Sequence, residues 1–443
     1  METSETRLPI RENNFLPSMA PPVKPVGLEG TRLRAARLLE AFTAQKRARI
    51  EFDPFVPLLC TAFRMSGARG IRLMSGIRIE EAELRIVRLP LLKPFTISTG
   101  TMHDKIFPLL ILRGEGFEGY AESVVDPLPD YLEETIAGGM ELLREVYLPQ
   151  ILGKRFTHPN ALDPILSPWR GHYMTKAVVE MAFYDLFAKA RNEPLQTYLG
   201  GEGDHVDVGV SLGIMSIDET LAKTQEHLDQ GYRRIKLKIM PGHDVKLVEA
   251  IRARFPDCPL SVDANSAYTL GDMKIMRALD CFRLDYIEQP LAHDDLHDHA
   301  TLQKEIITPI CLDESIRTVA HARKALTTDA TRVINIKVGR VGGFGEARRI
   351  HDLAEAFSVP VWCGGMLESG IGRAHNIHLS TLRNFKKPGD TSSASRYFPR
   401  DIIHEKLETK NGQMPVPQGV GIGVTLDWDF LETVTLSKES FKA

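Results

Sequence analysis

No stretch of this 443-residue chain approaches 18 uninterrupted apolar residues, so no segment reads as a membrane-spanning helix. Charge of one sign is not in large excess: the formal net charge is −3 at pH 7, which leaves no footprint for a nucleic acid. Cysteine is scarce. The five that occur (Cys60, Cys258, Cys281, Cys311, Cys363) are odd in number, scattered, and without a CxxC pair. That excludes a disulfide framework and a zinc cluster, and fits a reducing cytoplasm. Hydrophobic residues at 43%, charged residues at 26%, 34 Gly and 27 Pro are ordinary values. Disordered, collagen-like and coiled-coil chains are excluded as wholes. What remains is a globular protein of two or three domains whose expected partner is a small molecule.

The two ends of the chain differ. Residues 1–75 carry 12 Lys and Arg against 7 Asp and Glu, whereas residues 76–443 carry 43 against 51. The basic part is Pro-rich over 16–25 and then predicts one helix over 31–49. It has no apolar h-region of a secretory signal. A solvated, weakly ordered extension is expected, upstream of a protein complete from about Met74. From Gly76 the pattern becomes strand-like over 77–87, 107–113 and 119–125, with 95–105 as an entry loop and Gly-rich turns at Gly114, Gly116 and Gly119. Helices are expected over 132–146 and 175–191, the second with one apolar face (Ala177, Val178, Met181, Ala182, Leu186, Phe187). Residues 76–204 thus form an expected α+β unit.

Past Gly201, short apolar runs (205–213, 234–239, 260–265, 285–291, 310–314, 332–339 and 359–366) alternate with amphipathic stretches such as 218–230, 244–255, 315–325 and 345–357. Near-continuous apolar strands alternating with helices predict a parallel sheet covered on both faces. Seven or eight such units with no dinucleotide fingerprint favour a (β/α) barrel. The polar residues inside the runs are Ser211, Lys236, Lys238, Asp263, Glu288, Asp313 and Lys337. From Lys238 to Lys337 the charged members are spaced 25, 25, 25 and 24 residues apart. That period puts each at the same level of its own unit, near the C-terminal end of a strand, where barrel active sites lie.

A single carboxylate at a strand end is usually a helix cap or a surface residue. Three on consecutive strands would repel one another in a shared cavity, and a hard divalent cation such as Mg²⁺ resolves that repulsion. Lys236 and Lys238, two apart, point to one side, and inward lysines are costly unless paired or functional.

The motifs Arg234-Ile-Lys-Leu-Lys-Ile-Met-Pro-Gly242, Ser261-Val-Asp-Ala-Asn265, Tyr286-Ile-Glu-Gln-Pro290, Cys311-Leu-Asp-Glu-Ser315 and Asn335-Ile-Lys-Val-Gly-Arg340 resemble the enolase superfamily. Within it they are similar to the muconate-lactonising branch and its N-succinylamino acid racemase/o-succinylbenzoate synthase group. Trp362-Cys-Gly-Gly-Met-Leu-Glu-Ser-Gly-Ile-Gly372, Pro388-Gly-Asp-Thr-Ser-Ser-Ala-Ser-Arg-Tyr397 and the helix over 177–190 add to the likeness, which covers residues 77–443. It implies a modified (β/α)7–8 barrel over 205–398, an α+β cap over 76–204, and a segment 399–443 that returns to the cap.

The resemblance also implies roles. Asp263, Glu288 and Asp313 match Mg²⁺ ligands, and Mn²⁺ is expected to substitute. Lys238 and Lys337 match an acid/base pair on opposite faces of the substrate, and Lys236 a lysine that helps hold its carboxylate. Arg340 matches an arginine found in members with racemase activity and is expected at the substrate. Ser211, Asn265, Gly365, Met366 and Leu367 fall where the family lines its pocket. The expected reaction is Mg²⁺-dependent removal of an α-proton through an enediolate: o-succinylbenzoate synthesis by dehydration, in menaquinone formation, and/or N-succinylamino acid racemisation. A dipeptide epimerase or a muconate-type cycloisomerase is the alternative on the same scaffold, and an idle binding barrel is the alternative of another class. A base lysine must be neutral although lysine ordinarily titrates near about 10.4; burial and neighbouring positive charge favour the neutral form. A small carboxylate substrate, no nucleic-acid partner and a homo-oligomer are expected.

Overall fold

The computed structural model describes residues 76–97 and 100–443. The helix expected over 31–49 and the basic extension around it lie outside the described residues.

An antiparallel sheet comes first: β1 (Glu81–Ile97), β2 (Gly100–Gly114) and β3 (Phe117–Glu122). Glu115 and Gly116, both at positive φ, make the two-residue connection of β2 to β3, the geometry that matches strand twist. The β1–β2 hairpin runs further than the sequence pattern suggests. Pairing resumes at Phe95↔Met102 and reaches Ile97↔Gly100, so the described residues of the expected entry loop 95–105 are strand instead. Pro90 and Pro94 interrupt the alternation of the arm, and the register is irregular between Pro90 and Phe95, which hides the strand from a period-two reading.

Helix α1 (Ile136–Leu142) starts later than the expected residue 132 because the Thr135 side chain caps it through Gly138 N. Helix α2 (Tyr173–Ala190) is buried on nearly every face, not on one. It packs so closely on β3 that a Cβ at Gly119 would stand 2.1 Å from the Ala182 carbonyl.

Seven parallel strands follow in strict order: β4 (Val210–Leu212), β5 (Ile235–Lys238), β6 (Leu260–Asp263), β7 (Ile287–Glu288), β8 (Ile310–Leu312), β9 (Val333–Asn335) and β10 (Val361–Trp362). Helices α3 (Ile217–Asp229), α4 (Val245–Arg254), α5 (Met273–Asp280), α6 (Leu296–Glu305), α7 (Val319–Thr327), α8 (Phe344–Ala356) and α9 (Gly370–Leu379) follow these strands one by one. Each strand is short, and its apolar residues are buried, with the polar exceptions such as Lys236, Asp263 and Glu288 reserved for the barrel interior.

The segment 384–390 serves as the eighth stave. Lys386 N and Asp390 N bond the carbonyls of Val361 and Cys363 on one side; on the other, Gly389 N bonds the Asp207 carbonyl and Gly209 N the Gly389 carbonyl. The barrel is thereby closed.

Two expected elements are corrected. The run 205–213 splits into two strands, and His205–Asp207 pairs with Gln413–Pro415 instead of joining the barrel. The split falls at Gly209, against which the Arg234 guanidinium packs. The helix expected from 315 begins at Val319, because Ser315 N is taken by the Gln289 side chain and Thr318 is the cap.

Helix α10 (Trp428–Val434) and β11 (Thr435–Lys442) come last, and β11 pairs antiparallel with β1.

Candidate active site

Register builds the site. Lys238 pairs with Asp263, and Asp263 with Glu288, on adjacent strands. Glu288 pairs with Cys311, so Asp313 sits two residues further along, on the same side of the pleat. Asp313 falls level with Asn335, since Leu312 pairs with Ile334, and Lys337 is two beyond. The equal level expected of all the charged positions therefore holds for three of them, and the others climb with the tilt that closing a barrel requires.

These side chains converge under the cap. Lys236 Nζ lies 2.8 Å from Glu288 Oε2, 3.3 Å from Asp263 Oδ2 and 3.0 Å from Asp390 Oδ2. Lys238 Nζ lies 2.8 Å from Asp263 Oδ2 and 2.5 Å from Asn265 Oδ1. Across the mouth, Lys337 Nζ stands 2.8 Å from Asp313 Oδ2 and 3.0 Å from the Tyr131 hydroxyl. β5 and β9 are four strands apart in a barrel of eight staves, so Lys238 and Lys337 face one another from opposite walls.

A cavity of about 580 Å³ opens between cap and barrel, lined by Lys236, Lys238, Asp263 and Lys337 and by the expected Ser211, Asn265, Gly365, Met366 and Leu367. Leu367 holds a left-handed conformation (φ 55°) in the loop after β10. Glu288 and Asp313 sit behind this lining. So does Arg340, which was expected at the substrate. Fully buried, it pairs with Asp313, and it donates to the carbonyls of Ile316 at 3.1 Å and Asn335 at 2.6 Å. Its backbone bonds anchor the β9 end and turn its charge toward Asp313 instead of the cavity.

Electrostatics follow from burial and crowding. Burial and the neighbouring Asp263 push the Glu288 carboxyl up, while Asp263, despite burial, is held well below the usual carboxylate range by Lys238 and Lys236. Burial works against the charge on Lys337, but Tyr131, Glu314 and Glu288 outweigh it and raise its proton affinity.

Lysine ammoniums occupy the space where the carboxylates converge, and among the described residues no three His, Cys, Asp or Glu side chains form a bare cation cage. The donor chemistry nevertheless fits a hard divalent cation: Asp263, Glu288 and Asp313 are buried carboxylates at strand ends, the oxygen donors such an ion takes. Glu288, crowded by Asp263, has the raised proton affinity that a cation relieves.

Sequence reasoning missed Tyr131, Asp390 and Glu314. Asp390 holds both Arg234 and Lys236, but it lies on the eighth stave, which has no strand pattern. Tyr131 belongs to the cap segment after β3, between Pro129 and α1, outside the repeat altogether. Glu314 is adjacent to Asp313 and has the signal of a second acid, which its neighbour obscured.

A parallel barrel with carboxylates and opposed lysines at its strand ends, roofed by an antiparallel cap, defines a class of acid–base barrel enzymes. Residues 81–200 match the "Mandelate racemase / muconate lactonizing enzyme, N-terminal domain" family and residues 219–430 the "Enolase C-terminal domain-like" family. The chain belongs to the enolase superfamily, in its mandelate racemase/muconate lactonizing branch.

An N-succinylamino acid racemase of Thermus thermophilus is 56% identical over 361 residues, 81% of this chain and 98% of that protein. An o-succinylbenzoate synthase of Geobacillus kaustophilus is 49% identical over 81% of this chain and 96% of its own length. The crystal structure of an enolase-superfamily member from Listeria innocua superposes with a TM-score of 0.81 at 40% identity, over 83% of this chain and 99% of that one. Membership implies a divalent metal and a small carboxylate substrate. Among the described residues no helix is long and apolar enough to cross a membrane.

Proposed function

We propose that this enzyme withdraws the α-proton of a small carboxylate, with Lys238 and Lys337 as the acid/base pair, and works as an o-succinylbenzoate synthase and N-succinylamino acid racemase. The observation that carries this reading is the opposition of those two amines across one cavity with buried carboxylates between them. The activities are those named for relatives 56% and 49% identical to the chain.

Asp263, Glu288 and Asp313 would hold Mg²⁺, or Mn²⁺ in its place. That ion supplies Lewis-acid stabilisation of the negative charge that develops on the substrate carboxylate. Lys236, paired with Glu288 and Asp390, adds a fixed cation on the same side. Lys238 takes the proton from one face of the α-carbon and Lys337 returns one to the other, which inverts the centre. In the dehydration, Lys238 takes the proton and then returns it as hydroxide leaves as water, while Lys337 stands as a cation beside the enediolate. Lys105, Asp126 and Tyr131 of the cap line the cavity, which limits the access of water to the carbanion. Ser211, Asn265 and the 365–367 loop shape the pocket, and Arg340 acts from behind Asp313.

The same reading divides the chain into an extension (1–75), a cap (76–204), a barrel (205–398) and a segment returning to the cap (399–443). It takes the protein as a cytoplasmic homo-oligomer. The free thiols of Cys258, Cys281, Cys311 and Cys363 suit that compartment.

The test is to supply Mg²⁺ and follow two reactions: aromatisation of the hydroxylated cyclohexadiene precursor to o-succinylbenzoate, and loss of optical rotation of an N-succinyl-L-amino acid. Both are expected. Turnover of neither overturns the proposal, and turnover of a dipeptide or of muconate instead would replace it.

A further inference from the structure

Glu314 is buried and does not line the cavity. Its Oε1 accepts the Nδ2 of Asn265 at 3.0 Å, while its Oε2 has no hydrogen-bond partner. A buried carboxylate oxygen left bare is costly, so the residue is retained against a penalty. Asn265, the one side chain among the described residues to which it is hydrogen-bonded, is itself at φ 43°, a left-handed conformation that asparagine tolerates better than most residues. Its amide spans the gap between Glu314 and Lys238, with Oδ1 2.5 Å from Lys238 Nζ.

An asparagine amide has two orientations of similar shape, which differ in whether oxygen or nitrogen faces a given neighbour. Here Nδ2 donates to Glu314 Oε1 and Oδ1 accepts from Lys238 Nζ, the orientation that an acceptor oxygen of Glu314 selects. A neutral amine has two N–H groups and one lone pair. Asp263 Oδ2 and Asn265 Oδ1 accept the two N–H groups, which leaves the remaining tetrahedral position of Nζ free for the cavity. With the amide reversed, Nδ2 would donate to that lone pair and the base would be occupied.

We propose that Glu314 is a positioning residue: by locking the amide of Asn265, it keeps the free position of Lys238 Nζ directed at the substrate. The inference rests on the reading above in which Lys238 is one of two bases.

The experiment follows α-proton exchange of each enantiomer of an N-succinylamino acid in D₂O by NMR, with the full-length, Mg²⁺-supplied enzyme. Lys238→Ala identifies the enantiomer that Lys238 serves. Glutamine at position 314 donates as well as accepts, so Glu314→Gln releases the amide. Exchange of the Lys238 enantiomer is expected to fall by about tenfold, the scale of one hydrogen bond, and to do so through Asn265; the other enantiomer reports separately on the charge that Glu314 places near Lys337. On an Asn265→Ala background, Glu314→Gln should add nothing, because there is no amide left to lock. Asn265→Ala alone gives the same loss for the Lys238 enantiomer, which keeps the test decisive where Glu314→Gln folds poorly.

No loss for the Lys238 enantiomer, or a Glu314→Gln effect on it that persists without Asn265, overturns the positioning role while the two-lysine reading stands. If Lys238→Ala slows neither enantiomer selectively, the reading fails and the inference with it.

Discussion

The Tyr131 hydroxyl, carried by the cap, lies 3.0 Å from the Lys337 Nζ, carried by the barrel, and the Tyr131 ring centroid is 4.8 Å from the same ammonium. The same hydroxyl stands 3.4 Å from Asp313 Oδ2. The wall that holds Lys337 is thus finished by a residue from the other side of the cavity, and a docked cap is part of the site and not merely a cover.

Removing that hydroxyl while keeping the ring should act on one face only. Tyr131→Phe is expected to slow α-proton exchange of the enantiomer served by Lys337 by about tenfold, the worth of a hydrogen bond to a charged group, with the Lys238 enantiomer nearly unchanged. Exchange in D₂O checks it; a symmetrical loss would show that the tyrosine only supports the cap.

The paired-base arrangement predicts a stronger asymmetry. Lys238→Ala should retain exchange of one N-succinylamino acid enantiomer and Lys337→Ala of the other, and both should lose racemisation. Synthase turnover should suffer more from Lys238→Ala, which removes both the base and the acid that assists hydroxide departure. Retained racemisation in either variant would contradict the pairing.

Chelation should abolish both activities, and Mg²⁺ or Mn²⁺ should restore them. Glu288→Gln removes the central carboxylate and leaves Lys236 with one partner fewer in a dry site. Weaker metal binding by calorimetry and a loss of turnover of at least about a hundredfold are expected, with circular dichroism unchanged. Full activity after stripping the metal would refute the site.

Acid should unfold the barrel through two histidines on α9. Burial pushes both His375 and His378 down to about 4. His378 Nδ1 accepts the Gln196 N–H at 3.2 Å and its Nε2 donates to the Ile422 carbonyl at 3.1 Å, so the ring is held neutral in one tautomer. Because the folded chain protonates these rings only below the ordinary value of about 6.5, the unfolded chain binds the protons first as pH falls. The stability they contribute is complete above about pH 6.5 and is lost progressively toward pH 4. Melting temperature measured by calorimetry should decline across that window, and His378→Gln should flatten the decline. An unchanged slope would remove His378 from the account.

The convergence of Lys238, Asp263 and Glu288 was legible in the sequence because a barrel repeats. Lys238, Asp263 and Glu288 fall on neighbouring strands in direct register, so chain spacing translates into spatial proximity. Where the repeat stops, legibility stops. Asp390 closes the barrel from a segment without strand alternation, and Tyr131 enters from the cap, so nothing in their spacing marked them. Arg340 was placed in the right neighbourhood on the wrong side of the wall, since three residues past Lys337 says nothing about which way the chain turns after β9. The hairpin of β1 and β2 was cut short because two prolines masked its pattern.

Strand β11 pairs with β1 from Thr435↔Val87 to Lys442↔Glu81, and Arg85 is sealed there beneath Trp428 and beside Glu432. Strand β11 completes the sheet of β1 from about 350 residues further along the chain. Until β11 is made, β1 therefore waits with one edge open and a guanidinium in water that later lies 1% exposed. Pairing between such distant segments forms late, and open edges invite association between nascent chains. A polypeptide stopped short of residue 435 would carry a finished barrel under an unfinished roof, with the edge of β1 unpaired.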